Sequence, residues 1–188
     1  MPSFAANGIA LAVDAADGGR ITSLTAHGRQ WLAPSLPRSA AESFVVAGTG
    51  GWDEVAPTVQ ASTLPDGAVL RDHGDAWRTA WSVLADTPAE LAMAVDLPSV
   101  GVRLERRIRA AECGVRLDYR ATSESAAPVP LLWCAHPLFD ASGGARIVAS
   151  GQLTGEYPER GIPVAWPAGV GPSALKAFTT GVTTASIA

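Results

Sequence analysis

Lysine is nearly missing from this chain. Lys176 is the only one, and arginine supplies the other basic residues among the 14 counted. That usage is typical of a GC-rich bacterial genome. With 18 acidic residues the formal charge is −4, which argues against a nucleic-acid backbone as partner. Cysteine is scarce as well. Cys113 and Cys134 are too few and too far apart for a zinc knuckle or a CxxC redox pair. They read as buried free thiols, which suits a reducing cytoplasm. No apolar stretch approaches the ~20 residues of a membrane helix, so no membrane partner is expected. The opening residues, MPSFAANG, have neither the basic nor the apolar region of a signal peptide.

Helical periodicity is the next absence. No segment of a dozen residues or so carries a clean 3.6 period, and the dominant period is two. Val100, Val102 and Leu104 alternate with polar or small residues, as do Val115, Leu117, Tyr119 and Ala121. Each such run is a strand with one buried and one wet face. Similar runs occur at 9–13, 21–26, 44–47, 77–84, 90–97, 129–139 and 147–149. Turn signals separate them, among them Asp17-Gly18-Gly19, His27-Gly28, Pro65-Asp66-Gly67 and Ser142-Gly143-Gly144. The run Arg103 to Arg109 reads as a solvated strand face, because apolar positions alternate through it and Glu105 breaks the charge. With 47% hydrophobic and 17% charged residues the chain is no disordered segment. Its 188 residues suffice for one domain, 1–188, with a real core. The expected fold class is all-β, an antiparallel β-sandwich.

Three segments carry candidate chemistry. WCAHPLF, Trp133 to Phe139, places His136 in an apolar, aromatic-flanked strand stopped by a proline. Asp72-His73-Gly74-Asp75-Ala76-Trp77 places a second histidine between carboxylates in a turn. Gly50-Gly51-Trp52-Asp53-Glu54-Val55-Ala56-Pro57-Thr58 sets adjacent acids after a glycine pair, as a binding loop at a strand end would. Each has a plainer reading: His136 as a hydrogen-bonded core residue, His73 as a loop histidine paired with a carboxylate, the acids as a solvated turn. His27 is assigned no function. Histidines titrate near neutral pH, so two of them in polar-aromatic settings are what acid–base chemistry on a sugar ring needs. An indole can lie on the C–H face of such a ring. The aromatic set leans that way, with 6 Trp against 4 Phe and 2 Tyr. Trp31 and Trp81 also fit plain core packing.

His73, His136 and Asp72 or Asp75 would make a metal-ligand set. No HxH, HxxE or HxxxH spacing supports it, and neither metal nor cofactor is expected. No G-x-S-x-G elbow is present for a serine hydrolase.

Taken together, these segments resemble the aldose 1-epimerase, or galactose mutarotase-like, family. The resemblance rests on GWDEVAPT, DHGDAW, LLWCAHPLF and the pattern Gly19-Arg20-Ile21-Thr22-Ser23-Leu24 leading to Gly28-Arg29-Gln30-Trp31-Leu32. It runs from about residue 9 to about residue 180. The better-known galactose mutarotases have an Asn-Arg-Ile segment where this chain has Gly51-Trp52-Asp53-Glu54, which leaves the sugar open. The resemblance implies a large antiparallel β-sandwich that opens and closes sugar hemiacetals without a cofactor, with a small sugar as partner. It implies that His136 is the acid and that His73 holds the ring-oxygen side. It places Asp75, Trp77, Asp53, Glu54, Trp52 and Trp133 among the substrate-binding residues. The family's base is a glutamate near its C-terminus, and this chain ends before that region. Glu54 and Asp75 are the candidate replacements. The alternative is a carbohydrate-binding sandwich without its base.

The same resemblance yields expectations for the last residues. Thr179 to Ala188 should be a poorly covered edge strand that exposes apolar surface and favours self-association. Turnover should then be weak or absent.

Overall fold

The computed structural model describes residues 1–140, 147–149, 153–157, 162–166 and 185–187. The chain divides into two units, Met1–Asp140 and Ala141–Ala188. The described residues are all-β apart from one helical turn.

In the first unit one sheet contains β1 (Ser3–Ala6), β2 (Ile9–Asp14), β3 (Arg20–Ala26), β4 (Arg29–Gln30), β5 (Trp52–Val55) and β12 (Cys134–Pro137). Their order is β1-β2-β3-β5-β12, with β4 also on β3. The second sheet has the order β11-β10-β9-β8, from β8 (Ser82–Asp86), β9 (Glu90–Leu97), β10 (Val102–Ala111) and β11 (Gly114–Ser123). β6 (Ser62–Thr63) and β7 (Val69–Leu70) form a small ribbon. Every strand pair is antiparallel. In the second unit β13 (Ile147–Ala149) pairs with β16 (Ala185–Ile187), and β14 (Leu153–Tyr157) with β15 (Ile162–Trp166). Most of the expected edge at Thr179–Ala188 lies outside the described residues.

Local chemistry explains the hairpins. Asn7-Gly8 and His27-Gly28 both hold two successive positive φ angles, 52° and 76°, then 51° and 76°. That is the turn whose twist matches the strands it joins. The core lies between the two sheets. Leu11, Val13 and Ile21 meet Leu91, Met93, Leu104 and Ile108, all essentially removed from water. Each such side chain contributes about 1.5–3 kcal/mol.

Five sequence expectations need correction. Phe44–Ala47 is a helical turn, α1, not a strand. Residues 77–81 precede β8 as a turn, because the Trp77 and Trp81 indoles donate back to the Asp72 and Ala76 carbonyls. Only Cys134–Pro137 of the run 129–139 pairs as a strand. Pro128 and Pro130 lack the N–H a ladder needs. Nor is β10 simply a wet basic face. Arg103, Glu105 and Arg107 face outward, but Arg106 shares the phase of Leu104 and Ile108 and is fully buried. The thiols are free, as read, but Cys113 is exposed at the β10–β11 turn and Cys134 is half-buried.

Candidate functional site

β5 and β12 are neighbours in register. His136 lies opposite Asp53, and Ala135 opposite Glu54. Side chains alternate along a strand, so the two adjacent acids point to opposite faces of the sheet. This separates two clusters that the sequence reading had merged into one loop.

On the face turned from the core, the motifs converge through backbone hydrogen bonds. The Asp75 and Ala76 N–H groups donate to the Ala56 carbonyl at 2.7 and 3.1 Å. Gly74, at φ 71°, sits so close that an added Cβ would lie 2.1 Å from that same oxygen. Only glycine fits there. The 71–77 turn is thereby docked on the end of β5. Leu132 N–H donates to the Pro57 carbonyl at 2.9 Å and ties the WCAHPLF segment to the same corner. The Trp31–Leu32 segment joins it as well, since Leu138 and Ala33 share a backbone hydrogen bond of 2.7 Å.

The result is a ring cluster. The imidazoles of His73 and His136 have centroids 6.0 Å apart, nearly perpendicular. Phe44 of α1 stacks on His73 at 4.3 Å and meets His136 edge-on at 5.2 Å. Trp77 packs edge-on to Phe44 at 5.1 Å, with the guanidinium groups of Arg38 and Arg78 over its ring at 4.8 and 5.2 Å. Phe44 and Trp77 are buried, whereas His136 is half-buried. Beside the rings Asp53 is buried and salt-bridged. Arg20 donates to it at 3.1 Å, and Arg38 reaches it while also holding Asp17. Rings at this separation can both reach oxygens of one small polyol.

Asp72 binds the cluster together. One carboxylate oxygen lies 2.8 Å from His73 Nδ1, and the other accepts the Phe44 N–H at 2.9 Å. Partial burial alone would raise the Asp72 carboxyl. The Phe44 donation, the His73 hydrogen bond and charge, and a Ser43 hydrogen bond outweigh it and hold the acid below its ordinary value. His136 is shifted the other way for a histidine. Burial, then the charge of His73, lowers it below its ordinary value, and Asp53 opposes the shift. Its Nδ1 is buried without a partner.

The His136 shift makes a stability prediction. An unfolded histidine takes its proton near pH 6.5. The folded one resists until lower pH, so below pH 6.5 the unfolded chain binds more protons and stability falls. Asp72 acts in a lower window, because its stabilisation persists until pH drops below the ordinary carboxylate value. Thermal melts between pH 7.5 and 5 should therefore show a falling Tm. His136→Gln should flatten that slope, and an equal slope in both chains would refute the assignment.

On the core face Glu54 is fully buried. Arg106 donates to it at 3.1 Å, Tyr119 at 2.6 Å and Trp133 at 2.9 Å. Burial pushes the Glu54 carboxyl up, and the Arg106 charge and three donors pull against that. Tyr119 is likewise raised, by burial and by the Glu54 charge.

Several candidate residues are thus placed away from the histidines. Glu54, Trp52 and Trp133 share the core-facing phase, with Trp52 packed against the core cluster and Trp133 held on Glu54. Asp75 does not share a face with His73. His73 has φ 59°, so the piece is not extended, and the Asp75 carboxylate accepts both the N–H and the hydroxyl of Ser99 at 3.0 and 2.6 Å. Trp77 is within the cluster but buried beneath Phe44, Arg38 and Arg78. Sequence reading missed Phe44, Arg38 and Arg106. Arg106 had a signal, since it falls on the apolar phase of β10. A groove of about 530 Å³ lies elsewhere, along Asp96–Pro98, Gly101–Arg103 and Glu124–Ser125. Among the described residues no His, Cys, Asp and Glu cluster is arranged to hold a metal, and no helix is long and apolar enough to cross a membrane.

No protein-family model and no curated protein matches the chain. A solved structure from Escherichia coli K12, described as a "Putative aldose 1-epimerase", is similar with a TM-score of 0.64 at 16% identity. The match covers 86% of this chain and 59% of that one. At that identity the likeness establishes the fold, an aldose epimerase-like β-sandwich. The present chain spans less than two thirds of the length of that protein.

Proposed function

We propose that this chain binds a small aldose against the His73–His136 face and interconverts its anomers. The observation that carries the reading is the juxtaposition of two half-buried imidazoles, 6.0 Å apart on separate elements. The fold likeness supports it. Anomer exchange moves two protons. One leaves the anomeric hydroxyl as C1 becomes a carbonyl, and one arrives at the ring oxygen as the C1–O bond breaks. Rotation about C1–C2 and the reverse steps close the ring on the other face. His136 in its imidazolium form supplies the ring-oxygen proton. Because burial lowers its titration, that form populates below its ordinary pH range.

Polarimetry on freshly dissolved α-glucose or α-galactose tests the proposal. The chain should speed the decay of optical rotation beyond the buffer rate, and the excess should vanish in the His73→Ala/His136→Ala double variant. A decay at the buffer rate would refute turnover of these sugars. The second reading, a carbohydrate-binding domain without turnover, is favoured by one observation. Glu54 is buried among three donors, Asp75 is held by Ser99, and Asp53 is held by Arg20 and Arg38. Saturable sugar binding in calorimetry at an unaccelerated rate would establish that reading.

A further inference from the structure

We infer that Asp72 is a positioning residue that makes His73 the proton acceptor of the histidine pair. The inference rests on the proposed sugar reaction and assigns its base. A carboxylate held below its ordinary value, with one oxygen already accepting the Phe44 N–H, is ionised at neutral pH and can only accept hydrogen bonds. His73 Nδ1, 2.8 Å from Asp72, must therefore carry the proton. In the neutral ring that leaves the lone pair on Nε2, the nitrogen on the far side from Asp72. No described group hydrogen-bonds that nitrogen. The second Asp72 oxygen is occupied by the Phe44 N–H, and the Phe44 ring stacks flat on His73. One carboxylate thus fixes the tautomer of the imidazole and the aromatic wall beside it.

The carboxylates on β5 and in the docked turn are poor candidates for the same task. Glu54 faces the core, and Asp53 and Asp75 are engaged by arginines and by Ser99. The step balances within the pair. The O1–H proton passes to His73 Nε2, and its O–H electron pair becomes the carbonyl at C1. The C1–O bond to the ring oxygen breaks, and that oxygen takes a proton from the His136 imidazolium. Ring closure returns both protons.

Asp72→Asn makes the test sharp. The Phe44 N–H can only donate, so the amide oxygen turns to it and the amide NH₂ turns to His73. His73 Nδ1 must then accept, and the proton moves to Nε2. Imidazole ¹⁵N shifts should show Nδ1–H in the wild-type chain and Nε2–H in Asp72→Asn. kcat should fall about 10²-fold or more, within the range a positioned base contributes, with KM little changed. Phe44→Leu keeps the backbone N–H and should keep the Nδ1–H form, which separates tautomer control from loss of packing. Should Asp72→Asn fail to fold, Asp72→Ala should still lose the pure Nδ1–H signal. A wild-type chain in the Nε2–H form overturns the inference, as does an Asp72→Asn chain with unchanged kcat; the proposed function survives either result. A wild-type chain without turnover removes the reaction, and this base with it.

Discussion

Replacing His136 by alanine should lower the rate of anomer interconversion by about 10²–10⁴, the usual contribution of a positioned acid. The fold should survive. His136 is half-buried, its Nδ1 has no partner to lose, and its strand neighbours Ala135 and Pro137 keep their pairing with Glu54 and Trp52. The far-ultraviolet circular dichroism should be unchanged, and the loss should fall on kcat more than on KM. An unaltered rate would return His136 to the plainer reading of a ring packed against Phe44. A loss matched by unfolding would say nothing of acid catalysis, and His136→Gln, closer in volume, would then decide.

The second large effect concerns stability. Glu54→Ala should cost about 3–5 kcal/mol, because it strands the fully buried guanidinium of Arg106 without its counter-charge. Tyr119 and Trp133 lose their acceptor in the same step. Chemical denaturation of the single variant should show the loss. The double variant Glu54→Leu/Arg106→Met should recover much of it, since an apolar pair leaves no charge in the core. A single variant within about 1 kcal/mol of wild type would mean that water reaches Arg106 in the folded chain.

These two effects sit on adjacent strands of one sheet, and the sequence revealed them unequally. Period-two alternation exposed most strands of the first unit, and the His27-Gly28 pair marked one hairpin, whereas the Asn7-Gly8 turn came only from the fold. The three chemical segments were also recognisable, because histidine, glycine and tryptophan cluster at turns that needed an explanation. What stayed hidden was which way each group faces. Asp53 and Glu54 look like one acidic site until β5 is known to be extended. Strand alternation then sends one to Arg20 and Arg38, the other to Arg106. Arg106 was disguised by four neighbouring charges, although its phase with Leu104 and Ile108 was visible. Phe44 was hidden more deeply. Its β-branched neighbours Val45 and Val46 favour a strand, but a short turn tied by Asp72 overrides that preference. The Asp75–Ser99 contact joins residues whose proximity only the fold creates.

The alternation within β5 also sets how this segment can change in length. An insertion of one residue ahead of Asp53 would reverse the phase of the strand. Glu54 would turn towards the histidines and leave Arg106 bare, while Asp53 would be driven into the core. The stretches that flank β5 are buried as well, Gly50 and Gly51 on one side and Ala56 to Thr58 on the other. Within Trp52–Val55 a single-residue insertion or deletion would therefore damage the core and the histidine face together. In an insertion scan from Gly50 to Gln60, tolerance should return only at the exposed Val59 and Gln60.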